Sequence, residues 1–180
     1  MEETDVQPQE TPLRFEIEQP DDYDQYLLRS RPEIVAVLRS LVQKRALVSA
    51  YFNRGSSFLL TSVLQVDTGS GQLVLDCGRE EATNRQALLA DQLILTAMVD
   101  KVKIQFTLSK LAETQSAGRA AFSAALPDKV LRLQRREYFR LSTPIAKPVK
   151  FVTTLKRPDG SALVVEASLL DTSGGGVGLI

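Results

Sequence analysis

Histidine is absent from the 180 residues. Its absence removes Ser-His-Asp and Cys-His catalysis and every histidine metal site. Cysteine occurs once, as Cys77, so an internal disulfide, a C-x-x-C redox pair and a cysteine zinc site are all excluded. That thiol ends an apolar stretch and reads as buried and inert. No apolar run approaches the ~20 residues that span a bilayer. The opening Met-Glu-Glu-Thr-Asp is acidic where a secretory leader would be basic. A soluble cytoplasmic chain is expected. Hydrophobic residues make up 43%, enough to bury a core. The length suits one large domain or two small ones.

Excess charge of either sign is also lacking, since 22 basic residues balance 22 acidic ones. The balance hides a segregation. Residues 1–26 carry nine acidic side chains against one arginine. Residues 27–126 carry 12 basic and 8 acidic, and residues 127–180 carry 9 basic and 5 acidic. An acidic tail set against a mildly basic body points to an anionic ligand on the body, or simply to a solvated tail.

The first 14 residues are polar, acidic and proline-containing, and are expected to stay mobile. A helix is then predicted, with Ser30 as cap, Pro32 in the first turn and Ile34, Val35, Leu38, Leu41 and Val42 at helical spacing. From Ala46 the period changes to two. Strands are predicted at 46–52, 57–66, 72–77, 92–99 and 119–125, with a short helix or loop at 83–90. Residues 101–108 alternate most clearly, four apolar side chains facing one way and four polar ones the other. Leu126-Pro127-Asp128 marks a boundary. Beyond it, 149–156 and 162–170 form a hairpin around Arg157-Pro158-Asp159-Gly160. Val177-Gly178-Leu179-Ile180 reads as the start of another strand, as if a second domain were cut short. The pattern predicts a mainly β protein, an antiparallel barrel or sandwich with a leading helix.

Two constellations carry chemistry. In Gln134-Arg135-Arg136-Glu137-Tyr138-Phe139-Arg140, three guanidiniums lie within six residues. A guanidinium is a planar fork that pairs with phosphate oxygens or with guanine O6 and N7, and it can stack on a base. Tyr138 and Phe139 are expected as core residues or, as the alternative, as stacking residues. The second constellation is Asp171-x-Ser173-x-x-Gly176, within Asp-Thr-Ser-Gly-Gly-Gly. Glycines after a strand let a ligand approach the backbone, an aspartate accepts from guanine N–H groups, and the serine adds a hydroxyl. Taken singly, the first would be a solvated basic cluster and the second a glycine-rich turn. No lysine follows as in a phosphate loop, and no strand–helix unit follows as in a dinucleotide fingerprint.

Together, Arg136-x-x-x-Arg140 followed by Asp171-x-Ser173-x-x-Gly176 resembles the PilZ domain and its cyclic-di-GMP signature. The upstream segment YLLRSRPEIVAVLRSL, a β-rich stretch and LQRREYFRLSTP resemble the YcgR-type flagellar brake family. The resemblance implies an acidic flexible tail over 1–19 and a split β-barrel like that of flavin reductases over 20–126. It further implies a linker with the R-x-x-x-R motif over 127–148 and the incomplete start of a PilZ barrel over 149–180. It implies cyclic-di-GMP bound by Arg136, Arg140, Asp171, Ser173 and Gly176, with Arg135 offering a further fork that favours a ligand dimer. The implied mechanism is a change in interdomain orientation rather than catalysis, so neither an enzyme, a cofactor nor a metal is expected. The implied partner is the flagellar motor or switch complex, with action at the flagellar basal body and reduced motility. A non-flagellar output such as exopolysaccharide regulation is the alternative. Nucleic-acid binding, membrane insertion and flavin chemistry are not expected, and the chain is expected to be a monomer or weak oligomer.

Overall fold

The computed structural model describes residues 13–135, 138, 140–144 and 146–180. Apart from Leu13 and Arg14, the stretch expected to be mobile lies outside them. The chain divides into two units, Met1–Gln134 and Arg135–Ile180.

The first unit opens with a 3-10 turn at Glu16–Glu18, helix α1 (Pro20–Tyr23), a second 3-10 turn at Asp24–Tyr26 and a short strand β1 (Leu27–Leu28). Helix α2 (Arg31–Gln43) follows where the apolar spacing predicted it. Ser30 occupies the cap position, but only its carbonyl takes part, accepting the Ile34 N–H at 3.0 Å. The helix stops in a Schellman motif. Ala46 N–H donates to the Leu41 carbonyl and Arg45 N–H to that of Val42, with Arg45 at φ 47 where glycine is usual.

Next come β2 (Leu47–Phe52), β3 (Ser57–Asp67), β4 (Gln72–Asp76), α3 (Glu81–Leu89), β5 (Gln92–Val99), β6 (Val102–Ser109), β7 (Ala112–Ser116), β8 (Arg119–Ala125) and β9 (Val130–Leu133). All pair antiparallel, in the order β1-β9-β6-β5-β2-β3-β4-β8-β7. The path does not close by hydrogen bonds, so the barrel-like sheet is split between β1 and β7. β3 makes the corner. Its first half pairs with β2 and its second with β4, and the register slips between Val63 and Gln65. A bulge of this kind bends a strand so that it can serve two sheets.

The concave side holds the main core. Leu38 and Leu41 of α2 meet Val48, Leu73, Leu93, Leu95, Phe106 and Val130, all fully buried. The opposite face of β5, β6 and β9 is also covered, which periodicity alone did not indicate. Phe15, Ile17 and Leu27 pack there on Ile94 and Leu131. Gln105, expected on the polar face of β6, is therefore buried at 1% exposure. Its Oε1 accepts the Ile17 N–H at 3.1 Å and its Nε2 donates to Thr96 Oγ1 at 3.3 Å. Beside it Lys103 donates to both Glu16 carboxylate oxygens, at 2.8 and 2.7 Å. Burial acts to raise the Glu16 carboxyl. The Lys103 hydrogen bonds and charge outweigh it and hold the group below its ordinary value.

The second unit is a sheet of β10 (Leu141–Ser142), β11 (Val149–Lys156), β12 (Ala162–Ser173) and β13 (Gly176–Leu179). β10 and β11 both pair with β12, and β13 lies along its other edge. The β11–β12 hairpin has the predicted turn. Gly160 takes φ 83, and Asp159 Oδ1 accepts from Ser161 N at 2.9 Å and Ser161 Oγ at 2.6 Å. β12 runs three residues further than predicted, so Asp171 and Ser173 lie in a strand rather than in the turn. No described residue of this unit is buried, and Val152, Val164 and Ile180 are more than half exposed.

Candidate functional site

Long strand β12 carries Asp171 and Ser173 to one end of the second unit. There Asp171 is flanked by Ser142 of β10 and Gly178 of β13. The carboxylate leans over β13, where a Cβ on Gly178 would lie 3.0 Å from Asp171 Oδ1. Glycine at 178 is thus what lets the carboxylate lie close to the strand. At the β12–β13 turn, Gly175 N–H donates to Ser173 Oγ at 3.3 Å, and Ser173 Oγ donates to the Gly176 carbonyl at 3.3 Å. The serine hydroxyl holds the turn shut. Gly176 takes φ 151, which disfavours any residue with a Cβ.

Arg135, Tyr138 and Arg140 lie at this end of the sheet. Arg140 Nη1 stands 3.6 Å from Asp171 Oδ2, both side chains partly exposed. Arg135, Tyr138, Arg140, Asp171, Ser173 and Gly176 line one cavity of about 370 Å³ with Gly175, Val177 and Gly178. Five of the six residues expected from the sequence, Arg135, Arg140, Asp171, Ser173 and Gly176, thus share one wall-and-floor arrangement. The sixth, Arg136, lies outside the described residues, as does Phe139.

Two participants were not singled out for this role from sequence. Tyr138, expected in the core or as a stacking residue, is not in the core: it is 55% exposed and its ring lies over Gly174 and Gly175. Gly178 supplies the room for Asp171. The signal for Gly178 was its place two residues after Gly176, on the same face of a strand.

The cavity combines guanidiniums, a carboxylate and glycine backbone. It can take a planar, anionic ligand, with donors for phosphate and an acceptor for base N–H groups. No group of three or more acidic or cysteine ligands suited to a metal occurs among the described residues. Among them, no helix is long and apolar enough to cross a membrane. Cys77 stands apart in the first unit, half-buried, with its thiol pushed up by burial and by the charges of Asp76 and Glu113.

In the chain, this site follows the split antiparallel sheet of the first unit. Residues 26–132 match the family described as flagellar regulator YcgR, PilZN domain, and the chain belongs to that family. It is 37% identical over 160 residues to the flagellar brake protein YcgR of Azoarcus sp. (strain BH72), covering 89% of this chain and 62% of the relative. The chain thus spans about 62% of the length of that curated relative. The crystal structure of YcgR in complex with c-di-GMP from Escherichia coli superposes with a TM-score of 0.63 at 29% identity, over 87% of this chain and 65% of that one. The YcgR-N domain of Escherichia coli YcgR shares the fold, with a TM-score of 0.57 at 23% identity, over 62% of this chain and 97% of that one.

Proposed function

We propose that the chain is a cyclic-di-GMP receptor of the flagellar brake type, acting in the cytoplasm without catalysis. The observation that carries this reading is the meeting of Arg140 with Asp171 beside the Ser173–Gly176 turn, in one cavity. A solved relative holding c-di-GMP supports it. In this reading Arg136 and Arg140 take phosphates and guanine edges, while Asp171 and Ser173 take the other guanine. The exposed Arg140–Asp171 pair is worth about 0–1 kcal/mol, so a dianion with its own hydrogen bonds can displace it.

The domain assignment is part of the proposal. Residues 20–126 form the barrel-like YcgR domain, 127–148 the connecting segment that carries the arginines and whose strand β9 completes the first sheet, and 149–180 strands of a PilZ barrel. The arginines precede the second sheet, so ligand capture fixes the linker and with it the angle between the domains. The reoriented surface then meets the flagellar motor or its switch complex and lowers motility.

The test is calorimetric titration with cyclic-di-GMP, with GTP and cyclic-di-AMP as controls. Saturable binding of cyclic-di-GMP alone is expected. Equal binding of all three, or of none, would overturn the reading. Restored braking when the gene is returned to a deletion strain tests the output.

A further inference from the structure

The turn of the site holds three consecutive glycines, Gly174, Gly175 and Gly176, yet the D-x-S-x-x-G pattern accounts only for Gly176. Backbone conformation explains Gly176 and not the other two, since neither Gly174 nor Gly175 has a positive φ. Any residue could adopt their backbone. The crowding lies elsewhere. A Cβ on Gly174 would lie 2.8 Å from Tyr138 Cδ1, and one on Gly175 would lie 3.1 Å from Tyr138 Cδ2. Ordinary contact between carbons is about 3.5–4.0 Å. The Tyr138 ring therefore lies across both glycines, its Cδ1 edge beside Gly174 and its Cδ2 edge beside Gly175.

That ring is 55% exposed, so it is not there to fill a core. It sits two residues before Arg140, whose guanidinium reaches Asp171 on the strand leading into the same turn. We propose that Tyr138 is a positioning residue of the site. Its ring, seated on the Gly174–Gly175 backbone, anchors Tyr138 at the turn and sets Arg140, two residues on, opposite Asp171. The ring also forms part of the cavity wall, a flat apolar surface on which a purine can lie. The inference rests on the cyclic-di-GMP reading for its ligand and on the glycine contacts for its geometry.

A double-mutant cycle tests it, with cyclic-di-GMP as the probe and the whole chain as the protein. Tyr138→Ala removes the ring. Gly174→Ala adds a methyl group where only the ring stands in the way, so the exposed ring swings aside and the turn survives. Each is expected to weaken binding about tenfold, and the pair together by no more than either alone. Tyr138→Phe keeps the face and is expected to bind within about twofold of the parent. Undiminished binding by Tyr138→Ala, or losses that multiply in the pair, would overturn the proposal. A second readout does not depend on the ligand. The chain has no tryptophan, so Tyr138→Trp introduces a single indole reporter. Its emission is expected to shift when Gly174→Ala is added, and an unchanged spectrum would show that the ring does not rest there. Loss of cyclic-di-GMP binding by the parent with the emission shift intact would sink the ligand reading and leave the ring's position standing.

Discussion

Arg140 and Asp171 belong to different motifs and lie thirty-one positions apart, yet Arg140 Nη1 stands 3.6 Å from Asp171 Oδ2. β12 is long enough to carry the aspartate past the end of β11 to the strand that follows the arginine segment. Neither residue belongs to a core, and both line the same cavity.

Reversing the charge at that contact places two carboxylates together and removes a fork from the anion. Arg140→Asp is expected to abolish cyclic-di-GMP binding in calorimetry while the first unit keeps its melting transition. Micromolar binding retained by the variant would count against the site.

Arg135 lines the cavity but stands outside the R-x-x-x-R spacing. Arg135→Ala should therefore weaken binding less than Arg136→Ala. If Arg135 supports a second, stacked ligand, the parent binds two molecules per chain and Arg135→Ala binds one. A parent stoichiometry of one rejects that role.

Gln105 is buried between the two layers that cover β6, and it takes the Ile17 N–H. Gln105→Leu keeps the volume and strands that donor. A loss of about 1–3 kcal/mol is expected by chemical denaturation, the cost of an unsatisfied buried polar group. An unchanged midpoint would mean that the N-terminal segment is not held there.

Glu16 sits below its ordinary value of 4.5 because Lys103 binds its charged form. A depressed carboxyl contributes stability that is fully present above its unfolded value and is lost as pH falls through its folded value. Glu16→Gln should therefore be less stable than the parent near neutrality, and the gap should close on acidification below 4.5. A gap that is constant with pH would show that the charge on Glu16 is not what Lys103 recognises.

Much of this was legible in the sequence because it was local. The stripe Ile34-Val35-Leu38-Leu41 placed α2, and alternation placed β2, β3, β5 and β6. The short pieces β1, β9 and β10 carry too few residues to show a period. β7, Ala112–Ser116, has almost no apolar content and is a strand only because β8 pairs with it. The burial of Gln105 was hidden for a different reason. A residue reads as outward-facing by its polarity, and nothing in β6 records that Phe15 and Ile17 return from far along the chain to cover it. In the site, the resemblance of the two motifs to the PilZ signature named Arg140, Asp171, Ser173 and Gly176. For Tyr138 the core was placed ahead of stacking, because aromatic character ordinarily means core and its partner is bare backbone, which leaves no side-chain signature.

The eleven-residue strand β3 belongs to two sheets through the slip between Val63 and Gln65. Thr61, just before it, is buried and donates to the Asp76 carbonyl at 2.7 Å, tying the corner to the end of β4. The two halves of the first unit thus have a common spine, and neither can open without straining the other. Amides of β2 and β4 should exchange with solvent in one cooperative event, and separate rates for the two would deny it. A domain built this way opens as one cooperative piece rather than as two independent sheets.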